Sequence, residues 1–403
     1  MTQFIFSAVA IVCAMLLAYT TTPIVRVLAF TIGAVDVPLD NRRMHKKPIP
    51  RIGGLAIYLS FLITTLLFCD ISKQLVTIWV GGAVLVVLGI LDDIYRLNAW
   101  LKFVIQIAAA GFAVWNGCVI DHINLGGAYI HLGYFSIPLT ILWIAGLTNA
   151  INFIDGLDGL ACGVSAISSF SLMIVVLLNG DIVSTVVFGI LFGSCLGFLP
   201  FNLNPARIFM GDTGALFLGY SLAVMSISGV FKLHAVLAFI VPLIVFAIPI
   251  FDAFFAIIRR LAAGKSPFSP DRGHLHHKLI DMGFTQKESV KLIYATCAML
   301  GLVAIFCTES MFKNMRVIKS VSIAIIAIVL FAVNFMILRN PNLRRHSGII
   351  EDDMTISDYI SELDPEKAKK IEEHNGATKE EIIEIEKSIN SKKDDAEKEN
   401  KQE

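Results

Sequence analysis

Long apolar runs alternate with short polar stretches along most of this chain. About 17 mostly apolar residues are enough for a helix to cross a bilayer core. On that basis the pattern predicts helices at roughly 4–28, 52–69, 75–91, 102–118, 136–150, 160–178, 182–199, 214–230, 235–258, 291–308 and 317–338. The run 136–150 is the weakest of these. It is short and contains Pro138, and it gains length if it continues into the polar motif that follows. The fold class expected is all-α, a polytopic integral membrane protein of about 11 transmembrane helices. The first run has no basic segment ahead of it and no A-x-A site close behind, which predicts a retained span. No internal repeat of fixed period is visible, which disfavours an inverted-repeat transporter.

The polar stretches divide by charge. Loops 31–51, 92–101, 200–213 and 259–290 hold thirteen Lys and Arg, against four in loops 70–74, 119–135, 179–181, 231–234 and 309–316. Basic short loops stay in the cytoplasm, so the first set is expected inside, the N-terminus outside and the C-terminal tail inside. The chain has 403 residues, 56% hydrophobic and 16% charged, with mean hydropathy +0.72. A soluble domain of this size would carry a more polar surface. Residues 1–338 form the expected transmembrane domain, and 339–403 a charged cytoplasmic tail that is disordered or partly helical. No basic tract with interleaved aromatics points to nucleic acid. The seven cysteines have no CxxC spacing and are expected as small buried apolar residues.

Five polar clusters interrupt this pattern, all in the loops expected inside. Asp36–Gly54 is basic and proline-stiffened, with His45, Lys47 and Arg51, and ends in a Gly pair at a helix start. It suits an anion or a headgroup anchor. Asp92-Asp93 ends an apolar helix, where adjacent carboxylates are costly without a metal, a cationic partner or a proton-transfer role. In Asn149–Gly159, Asn149 and Asn152 share a helical face, and Asp155 and Asp158 follow at the same spacing. That oxygen-rich stripe suits a hard cation such as Mg²⁺. Asp212 lies between glycines at a helix start, as a ligand or as an N-cap. Asp271–Lys278 carries Arg272, His274, His276 and His277. Phosphate binding is favoured there over zinc, because no Cys is near and adjacent histidines reach one ion poorly. Acidic residues for a divalent cation, with Arg, Lys and His for phosphates, form the kit for phosphoryl transfer. No GxxxxGK[ST] loop is present.

These clusters, in this order over residues 1–338, resemble the polyprenyl-phosphate N-acetylhexosamine-1-phosphate transferase superfamily, glycosyltransferase family 4. The DRGHLHH run and the MGDTG segment are closer to its bacterial undecaprenyl-phosphate GlcNAc-1-phosphate transferase branch than to the branch using UDP-MurNAc-pentapeptide, whose three histidines are usually consecutive. The resemblance implies transfer of a sugar 1-phosphate from a UDP-sugar to undecaprenyl phosphate with release of UMP, in a cleft facing the cytoplasm of the bacterial plasma membrane. It implies Mg²⁺, with Mn²⁺ as a substitute, on Asn152 and Asp212. Asp92 and Asp93 would stand at the lipid phosphate and Asp155 and Asp158 on the nucleotide side, these four being the expected catalytic set. His45, Lys47, Arg51, Asn149, Arg272, His274, His276 and His277 would bind substrate. A homodimer is compatible with all of this, and a transporter or flippase is the alternative class.

Overall fold

The computed structural model describes residues 2–36, 48–125, 128–230, 240–266 and 273–307. His45, Lys47, Arg272, the predicted span 317–338 and the tail lie outside the described residues. Residue contacts divide the chain into two units, Met1–Ile280 with Phe284–Met336, and Asp281–Gly283 with Ile337–Glu403. The described parts of all five polar clusters belong to the first.

Helix α1 (Thr2–Thr31) leads through a short antiparallel pairing of β1 (Val35–Asp36) with β2 (Ile49–Pro50) into α2 (Gly54–Phe68). Helices α3 (Lys73–Tyr95) and α4 (Ala99–Trp115) follow, then a hairpin of β3 (His122–Leu125) and β4 (Ala128–His131). Next come α5 (Ser136–Ile154), α6 (Leu160–Leu178), α7 (Ile182–Asn202) and α8 (Gly211–Met225), the last continued by a π turn to Val230. The remaining helices are α9 (Ile240–Val245), α10 (Ala247–Ala262), α11 (Leu275–Asp281) and α12 (Gln286–Phe306). Several starts are written in the sequence. Ser72, Asn98 and Asp181 accept backbone N–H groups at the first turns of α3, α4 and α7, and Thr285 with Glu288 forms a capping box on α12.

Among the described residues, seven helices are long and apolar enough to cross a membrane, and Gly54–Phe68 and Ala99–Trp115 are shorter apolar helices. Large apolar side chains such as Ile24, Val27, Leu67, Val87 and Val104 face outward, as expected where the surrounding solvent is hydrocarbon. The protein is a mostly helical, multi-pass membrane protein.

Four predicted boundaries are corrected. Helix α3 runs on past 91, so Asp92 and Asp93 lie inside its last turn, and the chain leaves it at Arg96 with φ 52°. Helix α5 extends from 150 to Ile154, with Pro138 in its first turn, where a missing N–H costs nothing. The run 235–258 is not one helix. It breaks at Phe246 between α9 and α10, because Pro249 has no N–H to return to Val245 and is accommodated only in a new first turn. The stretch 259–290, read as loop, holds the end of α10, all of α11 and the start of α12.

Helix α8 is the core of the bundle, packed by α2, α3 and α5, and every residue in it except Asp212 is buried. Small residues allow the approach. A Cβ on Gly54 would lie 2.0 Å from the Gly214 backbone, and one on Gly89 would lie 2.3 Å from Thr213 Cα. Helices α1 and α7 pack in the same way. Ala10, Ala14 and Ala18 on α1 are fully buried, and Gly193 and Gly197 on α7 meet the carbonyls of Ile11 and Met15. Close backbone contact of this kind is how helices associate where no hydrophobic force separates side chain from solvent.

Candidate active site

Successive helices α1 to α8 alternate in direction, so the ends of α1, α3, α5 and α7 and the starts of α2, α4, α6 and α8 meet at one end of the bundle. There a cavity of about 790 Å³ opens, lined among others by Arg51, Asn152, Asp155, Asp158, Asp212 and His277. The loop before α2 pairs with the loop before α8: Phe209 N–H donates to Pro50 O at 2.7 Å, Gly53 N–H to Phe209 O at 2.9 Å and Gly54 N–H to Met210 O at 2.9 Å. Gly211 then takes φ 70°, where a Cβ would strike Arg51 O and the Asp93 carboxylate.

The paired aspartates have different surroundings. Asp93 is 8% exposed. Its carboxylate accepts from Asp212 N–H at 3.2 Å, Thr213 N–H at 3.2 Å and Thr213 Oγ1 at 2.8 Å. Arg51 Nε stands 3.7 Å away. Asp93 thus caps the start of α8 from the neighbouring helix and fixes where Asp212 points. Asp92 accepts from Leu97 N–H at 2.7 Å and from Lys102 Nζ at 2.8 Å. The same ammonium donates to Asp212 Oδ2 at 3.0 Å, so Lys102 bridges two carboxylates from separate helices.

The expected stripe of two amides and two carboxylates is broken at its midpoint. Helix α5 ends at Ile154, Asp155 is its C-cap with ψ 49°, and Gly159 turns the chain into α6 at φ 79°. Only Asn149 and Asn152 share a helix. Asn152 Nδ2 lies 3.5 Å from Asp212 Oδ2. Asn149, one turn deeper, donates to Gln106 on α4 and to Ala145 O, and it does not line the cavity. Asp158 Oδ2 accepts from Asn204 Nδ2 at 2.9 Å and Ala206 N–H at 3.0 Å, and so holds the loop after α7. Asn204 Nδ2 also donates to Gln286 at the start of α12, at 2.7 Å. Burial and the Asp212 and Asp93 carboxylates push the Asp155 carboxyl up to about 8.

Of the described histidines, only His277 lines the cavity. His274 and His276 are buried behind it. Burial and the neighbouring His277 push His276 down to about 4, which keeps its imidazole neutral at neutral pH.

Sequence reasoning passed over Lys102, Gln106 and Asp252, although two of them carried a signal. Lys102 and Asp252 are charges inside predicted spans 102–118 and 235–258, and an ionisable residue inside a span is by default a functional hypothesis. Lys102 and Gln106 stand four apart on α4 and face the same way, toward Asp92 and Asn149.

Residues 75–230 match the family described as glycosyl transferase family 4. A Bacillus subtilis (strain 168) protein named probable undecaprenyl-phosphate N-acetylglucosaminyl 1-phosphate transferase is 43% identical over 290 residues, covering 71% of this chain and 80% of the relative. The decaprenyl-phosphate N-acetylglucosaminephosphotransferase of Mycobacterium leprae is 37% identical over 358 residues, covering 81% of this chain and 89% of its own. The undecaprenyl-phosphate alpha-N-acetylglucosaminyl 1-phosphate transferase of Thermotoga maritima is 32% identical over 263 residues, covering 65% and 78%.

Proposed function

This chain belongs to glycosyl transferase family 4 and is a phosphotransferase for a sugar 1-phosphate, and from that premise we propose that it moves GlcNAc-1-phosphate from UDP-GlcNAc to undecaprenyl phosphate. The products are undecaprenyl-diphospho-GlcNAc and UMP, and the step opens assembly of a cell-envelope glycopolymer such as a teichoic acid or an O-antigen. A phosphate oxygen of the lipid attacks the phosphorus that carries the sugar, the bond from that phosphorus to UMP breaks, and UMP leaves.

The observation that carries this reading is the charge balance at the cavity floor. Beneath the cavity-lining Asp212, Lys102 joins it to Asp92, Arg51 faces Asp93, and Asp155 stands in the field of Asp212 and Asp93. Three carboxylates against two cations leave a negative surplus that suits a divalent ion, and the same surplus helps to raise the neighbouring Asp155 carboxyl. Asp212 and Asn152 are the residues that would hold Mg²⁺, because their side chains adjoin at the cavity surface and supply oxygen donors. When bound, the ion neutralises diphosphate charge and improves UMP as a leaving group.

The chain's own residues position the reactants. Lys102 restrains Asp92 and Asp212, and Asp93 sets the start of α8. Arg51 and His277 offer cationic or N–H contacts to phosphate at the cavity wall. The second pKa of a phosphate monoester is about 6, so the acceptor is largely ionised at neutral pH and no strong base is required. The charge bias of the loops supports a cytoplasmic cavity, where a soluble nucleotide-sugar meets a lipid phosphate.

The test is purified protein with radiolabelled UDP-GlcNAc, undecaprenyl phosphate and Mg²⁺, with UDP-MurNAc-pentapeptide as a rival donor. A lipid-linked GlcNAc product that vanishes in Asp212→Ala is expected. No lipid product, or full activity in Asp212→Ala, overturns the reading.

A further inference from the structure

Helix α10 has a strongly two-sided surface. Its outward face is apolar, with Phe251, Phe254 and Phe255 exposed. Its inward stripe is Asp252, Ala256 and Arg260, four residues apart and all buried. Two charged residues on the buried stripe of an otherwise apolar helix require partners.

Asp252 has two, on consecutive residues of the histidine segment. Its Oδ2 is 2.8 Å from His274 Nδ1, and its Oδ1 accepts from Leu275 N–H at 2.8 Å. The side chains of the pair are 6% and 7% exposed. Arg260 supports the same place from one side, with its guanidinium 5.2 Å over the Phe153 ring, which in turn lies 5.7 Å from His274. From His274 the imidazoles continue as a row toward the cavity. His274 and His276 are near-parallel, at 8° and 5.8 Å, and His276 meets His277 at 4.3 Å. His276 is seated on Gly156, where a Cβ would lie 2.2 Å from its Nε2. Only the last ring of the row lines the cavity.

We propose that Asp252 is a positioning residue that clamps His274, that His274 and His276 are spacers, and that of these three histidines only His277 contacts the diphosphate of the nucleotide-sugar. A buried polar contact of this kind is a poor source of stability compared with apolar packing. A carboxylate on Nδ1, however, fixes both the tautomer and the plane of an imidazole. Here that constraint reaches the cavity through two stacked rings. The inference rests on the transferase reading of the cavity only in its last part, the contact of His277 with diphosphate.

The experiment uses the full chain in nanodiscs and two readouts. Histidine ¹⁵N NMR reports the tautomer of His274 without any turnover, and steady-state kinetics with UDP-GlcNAc reports the consequence. His274 is expected to carry its proton on Nδ1 and to lose that signature in Asp252→Asn, with Asp252→Glu recovering it. Asp252→Asn is expected to lower kcat/KM about tenfold, and His277→Ala to lower it further. The double variant is expected to be no worse than His277→Ala alone, because both changes act through one contact. His274→Gln, which keeps a donor for Asp252, repeats the cycle if Asp252→Asn does not fold. An unprotonated Nδ1 in the unaltered protein, or losses that multiply in the double variant, overturns the proposal. A wild-type protein that shows the His274 signature but forms no lipid product overturns the transferase reading and leaves the clamp standing.

Discussion

The contact between α3 and α8 makes Gly89→Ala a sharp test of how the site is set. An added Cβ at Gly89 would sit 2.3 Å from Thr213 Cα and 2.6 Å from the Asp212 carbonyl carbon, whereas ordinary contact begins at 3.4 Å. The obstruction is backbone, so no rotamer change relieves it. Helix α8 must move from α3 by about 1.1 Å, and Asp212 moves with it, away from the Asp93 carboxylate and Lys102 that orient it. Misplacement of reacting groups by about 1 Å costs on the order of 10²-fold in rate. The expected result is a fall of about that size in kcat for sugar-phosphate transfer by protein reconstituted with the lipid acceptor. Gly111→Ala is the matched control, since a Cβ there meets nothing within 4 Å, and it should retain wild-type turnover. A Gly89→Ala enzyme within twofold of wild type, with the same unfolding midpoint, would refute the claim that α8 is placed by contact with α3.

Three further outcomes follow from the described geometry. Lys102→Met should lower kcat/KM by about 100-fold. Asp92 and Asp212 lie 2.8 and 3.0 Å from one ammonium, so their oxygens are at most 5.8 Å apart and repel by about 3 kcal/mol at an effective dielectric of 20 once it is gone. The same change should reduce the Mg²⁺ concentration for half-maximal activity, and a titration showing an increase would contradict it. Asp158→Ala should destabilise by about 1–3 kcal/mol in thermal unfolding, because Asn204 Nδ2 and Ala206 N–H lose a shared acceptor. His276, held down to about 4 in the fold, should make stability pH-dependent in a defined direction. Its neutral form is favoured by folding, so its contribution is full above about 6.5 and is lost as pH falls toward 4. The loss is about 3 kcal/mol at most, and His276→Gln should flatten that limb of the unfolding curve.

Much of this architecture was legible from apolar run lengths, and the single polar face from loop charge and the order of motifs. Helix ends were less legible where a charge coincided with the membrane boundary. The run at 75–91 stops at Asp92 on hydropathy alone, yet the helix continues because Lys102 and Thr213, from elsewhere in the chain, satisfy the carboxylates. Periodicity rightly joined Asn149 to Asn152. It could not show that α5 ends two residues later, which puts Asp155 and Asp158 on a turn with separate tasks. Asp252 lay inside an apolar run with no motif around it, and its significance depends on a partner 22 residues away. Local pattern thus finds many of the polar groups that gather around the cavity, and misses several of the groups that hold them.

The seat of His276 on Gly156 has a consequence for any survey that scores substitutions by lost activity. Gly156 brings no side chain to the chemistry, yet any replacement there would displace an imidazole from the row that ends at His277. Such a survey would rank this glycine beside Asp155 and Asp158 as though the whole DGLDG segment served the nucleotide. The two motifs are in fact one interlocked object. A change of residue size at position 156 is tolerable only when position 276 shrinks in step, so these two distant sites should vary together or not at all.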